Sequence, residues 1–383
     1  MRRVQRSEVA MRIGVPKEIK VHEYRVGLTP ASARELIHHG HQVVVEAGAG
    51  EAIGLSDAAY AAAGAELTTS AEEVFATAEM IVKVKEPLAP ERARLREGQL
   101  LFTYLHLAPD PDQARDLIAS GCIAIAYETV TDARGGLPLL APMSAVAGRM
   151  SIQAGAHSME MAQGGAGVLL SGVPGVAPGR VLIIGGGVVG TNAAMVALGM
   201  GARVVLLERS MRRIYELDSE FGLRLTTRYS TFEILDEELR SADLVIGATL
   251  TPGAAAPKLI TRAHLKEMKR GAVIVDVAID QGGCTETSRP TTHAEPTYVV
   301  DGVVHYCVAN MPGAVANTST FALNNATLPY VRALADQGYR RALLDDPHLL
   351  AGLNVHRGQI THEAVARDLG LPYTPPEQAL QET

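Results

Sequence analysis

The segment VLIIGGGVVG, residues 181–190, constrains this chain more than any other. An apolar run leads straight into Gly185, Gly187 and Gly190, spaced G-x-G-x-x-G, and a helical pattern follows from Val189 to Met200. Between a strand and a helix that spacing takes a dinucleotide. Gly185 permits the tight turn, Gly187 lets the backbone approach a pyrophosphate, and Gly190 allows close helix–strand packing. The helix N-terminus supplies amides and the positive end of its dipole. Outside that context the spacing is weak, and a plain glycine turn would match it. Glu208 closes the next apolar run, VVLLE, about 20 residues on, where a carboxylate accepts from ribose hydroxyls and repels a 2′-phosphate. This favours NAD over NADP. Arg209, Arg212 and Arg213 follow, and two readings stay open for them: a 2′-phosphate cradle or a solvated helix face.

The rest of the chain alternates in the same way, which implies parallel sheet. Before residue 140 the apolar runs RIGVPKE, HQVVVEAG, MIVKVK, LLFTYLH and CIAIAYE are separated by helical patterns. Residues 141–167 form an Ala/Gly/Met-rich stretch with few charges, read as a connecting helix. From Arg180 a second series runs RVLIIGGG, ARVVLLE, ADLVIGA, AVIVDVA and VHYCVAN. After Asn317 the pattern is helical, with no further strand series expected, and the tail is expected to pack back on the first domain. With 37 Gly, 5 Phe and no Trp in 383 residues, the strands are aliphatic and the turns glycine-rich. The predicted class is α/β with two doubly wound domains: a Rossmann NAD-binding domain over 140–317, and a discontinuous substrate domain, flavodoxin-like or Rossmann-like, over 11–139 and 318–383. Residues 1–10 read as a disordered extension, or as an upstream start before Met11.

Several function classes are disfavoured. The net charge of -7 comes from interspersed residues, and no Lys/Arg block forms the stripe that nucleic acid needs. No apolar run approaches the roughly 18 to 20 residues that span a bilayer. The N-terminus lacks the apolar core of a secretory signal. Cys122, Cys284 and Cys307 are scattered and odd in number, which points away from a disulfide framework or a zinc site and towards a reducing cytoplasm.

Candidate chemistry lies near strand ends. Asp280 falls just past AVIVDVA, at the rim where open α/β sheets place ligands. Asp276, inside the run, reads as structural. Alternation puts Lys83 and Lys85 on one face of MIVKVK, either functional or simply solvated. His106, after LLFTYL, is a general acid/base candidate because imidazole titrates near neutrality, although a lone histidine is often structural. His38, His39 and His41 look like metal ligands but sit at a helix end, where they suit the dipole. Cys284 has no base beside it in sequence and is given no nucleophilic role.

From Met11 onward the chain resembles the alanine dehydrogenase family. MRIGVPKEIKVHEYRVGLTP and IGGGVVGTNAAMVALGMGA match that family's signatures, and VKVKEP, LFTYLHLA, TRYS, VDVAIDQGGCTETSRPTTH and YCVANMPGAV match in order. The resemblance implies an NAD-dependent enzyme that interconverts L-alanine with pyruvate and ammonia, needs no metal, and forms a homohexamer. By position, it implies that Arg25 and Lys85 bind substrate and that His106 and Asp280 flank the reacting carbon. Ser144, Val188, Ser230, Asn310 and Met311 would line the cofactor, with Arg213 near its adenosine end. It also implies a cleft between the domains that closes to exclude water. Glu208 stands where the family usually has Asp. The alternatives are a transhydrogenase-type NAD-binding subunit, a saccharopine or opine dehydrogenase, and an inactive regulatory protein on the same scaffold.

Overall fold

The computed structural model describes residues 10–249 and 256–381, so residues 1–9 of the predicted extension lie outside the described residues. The chain forms two compact units: one from the described residues up to Met143 together with those from Val315 on, the other Ser144–Ala314.

The first unit is built on β1 (Arg12–Val15), β2 (Gln42–Glu46), β3 (Glu66–Thr68), β4 (Met80–Val82), β5 (Leu100–Thr103) and β6 (Ile123–Ala126). These are parallel and lie in the order β3-β2-β1-β4-β5-β6. The order selects the Rossmann arrangement over the flavodoxin-like one. β4, β5 and β6 are buried at every residue, as strands covered on both faces must be. The helices between them start where the sequence supplies an acceptor. Thr29, Ser56, Ser70 and Asp110 each take an amide of the first turn, and Pro30 and Pro111 occupy the first turn itself.

The second unit repeats the plan with β7 (Arg180–Ile184), β8 (Arg203–Glu208), β9 (Thr226–Tyr229), β10 (Leu244–Gly247), β11 (Val273–Asp276), β12 (Thr297–Val300) and β13 (Val303–Tyr306). The parallel order is β9-β8-β7-β10-β11-β13, and β12 pairs antiparallel at the edge. Two strands thus join the five expected. β12 and β13 are joined by Asp301-Gly302 with φ of 49° and 83°. Both signs are those of the tight hairpin turn whose twist matches its strands.

The chain then returns to the first unit through the 22-residue helix Ala316–Gln337. The expectation of no further strands is corrected: β14 (Leu353–His356) and β15 (Gln359–Ile360) extend the first sheet antiparallel beyond β6. Arg357-Gly358, again with both φ positive, closes this hairpin. No described helix is long and apolar enough to cross a membrane.

Candidate functional site

In the first unit, the loops that leave the carboxyl ends of β1, β4, β5 and β6 carry the chemistry. Arg25 lies in the long loop after β1 and is 2 % exposed. Its Nε and Nη2 donate to the two oxygens of Glu23 at 2.7 and 2.5 Å, and its Nη1 approaches Met143 Sδ at 3.1 Å. Burial disfavours the guanidinium cation, but Glu23 outweighs that and raises the Arg25 pKa. The loop itself is tied down by Asn324 of the long C-terminal helix, which accepts from the Thr29 amide at 2.8 Å and donates to Val26 O.

After β4 the lysines part company. Alternation predicted one shared face, with a solvated face as the plain reading; the structure corrects this. Lys83 is wholly buried, and its Nζ donates to Glu18 at 3.0 Å and to Glu91 at 2.6 Å. Lys85 is half-buried, 3.9 Å from Glu86. Its carbonyl accepts from Thr103 Oγ1 at the end of β5. β4 ends at Val82, and the pairing with β5 runs on past it through the Lys83 amide, donated to Phe102 O at 3.2 Å.

His106 follows β5 in the left-handed region, φ 49°, a conformation uncommon outside glycine that draws attention to a site. Glu128, after β6, accepts its amide at 2.6 Å and that of Leu105 at 3.1 Å, and lies 3.9 Å from its Nδ1. The exposed imidazole stacks on Tyr104, centroids 5.9 Å apart and planes within 9°. Tyr104 is buried and donates to Leu139 O. It lies within electrostatic reach of both Arg25 and Glu128, and burial pushes its phenol pKa up. Arg25, Lys85 and His106 therefore share one sheet edge. Glu18, Glu23, Glu128 and Asn324, which hold them, were not singled out by sequence reasoning.

Two of the three histidines read at the helix end meet carboxylates. His41 Nδ1 accepts from the Met11 amide at 3.2 Å, so its Nε2 carries the proton and donates to Asp336 at 2.9 Å. His39 lies 3.5 Å from Glu35.

In the second unit, the glycine loop joins β7 to the helix Val188–Gly199. Gly185 has φ 105°, which a side chain rarely adopts. A Cβ on Gly190 would sit 1.9 Å from Gly185 O, so the helix can start this close to the strand only with glycine there. A Cβ on Gly187 would meet no protein atom within 4 Å; the bare backbone faces open space at the helix N-terminus. Glu208 accepts the amides of Gly186, Arg209 and Ser210 at 2.7 to 2.8 Å. Arg213 is turned inwards: its Nε donates to Gly186 O and its Nη2 to Thr191 Oγ1, both at 2.7 Å, while Nη1 meets Glu216. It braces the loop and is not a solvated residue. Val188 is 45 % exposed on the first helical turn. Ser230 is half-buried after β9, its amide on Glu208 O. Asn310 has φ 66°. Met311 is buried in the apolar core. Ser144 is half-buried on the helix Ala141–Ser158. An open glycine cradle beside a helix N-terminus and a carboxylate at the end of the second strand fit a dinucleotide.

Asp280 is exposed on the short helical turn Val277–Gln281, just past the carboxyl end of β11. Asp276 beneath it is fully buried. It accepts from the amides of Ala278, Cys284 and Thr285 and from Ser288 Oγ, at 2.5 to 3.2 Å. It fixes the loop that carries Asp280. Orphaning several buried donors at once is expected to make Asp276→Ala lose about 3 kcal/mol or more of stability, read by urea unfolding. A change under about 0.5 kcal/mol would contradict that role. Cys284 is buried, and burial and Asp276 both raise its pKa.

Two family models match end to end: "Alanine dehydrogenase/PNT, N-terminal domain" over residues 14–147 and "Alanine dehydrogenase/PNT, C-terminal domain" over 151–363. The chain is 64 % identical over 363 residues to an alanine dehydrogenase of Halomonas elongata, covering 95 % of this chain and 98 % of that one. It is 54 % identical over 373 residues to the alanine dehydrogenase of Bacillus subtilis, covering 97 % and 98 %. A solved L-alanine dehydrogenase, 51 % identical, superposes with a TM-score of 0.91 over 94 % of this chain and 99 % of that one. A transhydrogenase from Sinorhizobium meliloti, 24 % identical with a TM-score of 0.78 over 92 % and 99 %, shares the fold. The glycine cradle and the ordered loops thus sit in a chain whose matches cover nearly its whole length, and it belongs to the alanine dehydrogenase/PNT family.

Proposed function

We propose that the protein is an NAD-dependent L-alanine dehydrogenase, converting L-alanine, NAD and water to pyruvate, ammonium, NADH and a proton, reversibly. The observation that carries this is Arg25, Lys85 and His106 ordered on one sheet edge of a chain so similar to proteins named alanine dehydrogenase. Glu208 supports NAD, because a carboxylate at the end of β8 repels a 2′-phosphate. The bracing of Arg213 takes away one cation that would welcome that phosphate.

Gly185, Gly187, Val188, Gly190, Glu208, Ser230, Asn310 and Met311, with Ser144, would hold the dinucleotide, and Arg213 stiffens its loop. When bound, the nicotinamide ring accepts hydride from the substrate Cα. Arg25 and Lys85 take the substrate carboxylate. Glu23 fixes the Arg25 fork from one side, so the carboxylate meets a preset guanidinium and little ordering is left for binding. Once the substrate ammonium has lost a proton to solvent, loss of hydride from the amine form of alanine leaves the cationic imine of pyruvate, which the carboxylate of Asp280 stabilises. Water attacks the imine carbon while His106 accepts its proton. His106 then returns that proton to nitrogen, and as the C–N bond breaks and ammonia departs the carbinolamine hydroxyl gives its proton back to His106, leaving the carbonyl of pyruvate. Homohexamer formation, on the family resemblance alone, and a cytoplasmic setting, on the scattered cysteines, complete the proposal.

The test is the 340 nm absorbance of the purified protein given NAD and L-alanine, with NADP, D-alanine and larger amino acids as controls. Reduction with L-alanine and NAD, and the reverse with pyruvate, ammonium and NADH, is the expected result. Silence in both directions with intact NADH binding would favour a transhydrogenase-like binding module. Reduction only when a keto acid and a larger amine are supplied would point to an opine-type enzyme.

A further inference from the structure

Beneath the edge that carries Lys85 lies a group to which no step of the proposed reaction assigns a task. Lys83, Glu18 and Glu91 form a buried triad whose side chains are 0 %, 2 % and 3 % exposed. Two carboxylates and one ammonium far from water are costly, and a hydrophobic trio of similar volume would serve packing as well or better. Such a group survives where it specifies a geometry. Every carboxylate oxygen here is occupied by a donor. Glu18 Oε2 takes Lys83 Nζ, and Glu18 Oε1 takes the amides of Val84 at 2.7 Å and Lys85 at 3.3 Å. Glu91 Oε1 takes Lys83 Nζ, and Glu91 Oε2 takes the amide of Leu88 at 2.8 Å. Three amides of the five-residue run 84–88 thus end on the triad. This run lies past the end of β4, where the Val84 carbonyl still accepts the Tyr104 amide at 3.3 Å; on its other side the Lys85 carbonyl is held by Thr103. Burial raises the Glu18 pKa, against the pull of Lys83.

We infer that Glu18, with Lys83 and Glu91, is a positioning device that moulds residues 84–88 so that Lys85 meets the substrate carboxylate in a fixed geometry. The inference rests on the role given to Lys85 above. None of the three touches substrate. Glu18 comes from the β1 loop and Glu91 from the helix after β4, so the triad joins the two strands at the point where the sheet order reverses, and it transmits their rigidity to one lysine.

The test uses the full-length protein as Glu18→Gln, which keeps the volume and loses the charge, and as Lys83→Met. Three quantities are read: KM for pyruvate in reductive amination, Kd for NADH by fluorescence, and deuterium uptake of the peptide spanning 84–88. The expected result is a KM raised about ten-fold with Kd within about two-fold of the parent, the pattern of a lost substrate contact. Uptake in 84–88 is expected to quicken about ten-fold while the core strands keep their protection. A purely structural triad would lower the melting temperature and leave KM unchanged in the folded fraction. That outcome, or faster exchange with unchanged KM, overturns the inference. If Lys83→Met does not fold, Glu18→Gln decides. If the parent protein neither oxidises alanine nor reduces pyruvate, the function proposed above fails, and the exchange data still report whether the triad clamps the run.

Discussion

Replacing His106 by asparagine is expected to cut turnover of L-alanine roughly a hundred- to ten-thousand-fold, the range that a positioned proton-transfer group supplies. Asparagine is chosen for the backbone: His106 has φ 49°, a region that asparagine tolerates and alanine resists. His106→Ala would lose the imidazole and strain the loop together; the asparagine variant loses the imidazole alone. The amide of residue 106 stays on Glu128, so the edge that holds Arg25 and Lys85 is undisturbed. NADH affinity, which the proposal assigns to the glycine loop of the other unit, is expected to stay within about two-fold, because only an interaction made in the transition state has been removed. Near-full turnover in His106→Asn would show that another group moves the protons.

Gly190→Ala is expected to weaken NADH binding about a hundred-fold or more, because the new methyl lands 1.9 Å from Gly185 O, an overlap only backbone movement relieves. The atom struck belongs to the turn proposed to cradle the pyrophosphate, so on that proposal relief of the clash and loss of the site are one event. A fall in melting temperature is expected too, since Gly190 is buried against β7. The control is Gly199→Ala at the other end of the same helix, where a Cβ meets nothing within 4 Å. There alanine's better helix propensity is expected to add roughly 0.5 kcal/mol with NADH binding unchanged. Fluorescence titration of both variants reads this directly. Equal binding by Gly190→Ala and the parent would mean that the turn has slack that its geometry does not suggest.

What could be read in the sequence was local. The glycine loop, the apolar strands, Pro111–Ser120 as a helix and Glu208 at a strand end all follow from spacing within a few residues, and the structure has each of them. What was missed was long-range. Glu18 meets Lys83 across 65 positions, Glu128 meets His106 across 22, and Asn324 meets Thr29 across 295. No periodicity reports such meetings, which is why a wholly buried Lys83 read as equally suited to a solvated face. The strand order that separates the Rossmann from the flavodoxin plan is likewise a property of crossovers. β12 is a different kind of miss, since Asp301-Gly302 between two valine pairs is itself a hairpin signal; Arg357-Gly358 carries no such signal, and β14–β15 were hidden for that reason.

The discontinuity of the first unit bears on how the protein is made. Ser144–Ala314 is one contiguous stretch and can close while the remainder is still being synthesised. The first unit has to wait. Until Leu353–His356 emerges, the wholly buried run Ile123–Ala126 is an uncovered sheet edge, flat and apolar. A ribosome stalled, or a message cut, between Ala314 and that point would release a chain whose second unit is finished and whose first unit offers its neighbours a sticky strand. The last thirty or so residues thus act as a built-in cap on a product that would otherwise aggregate.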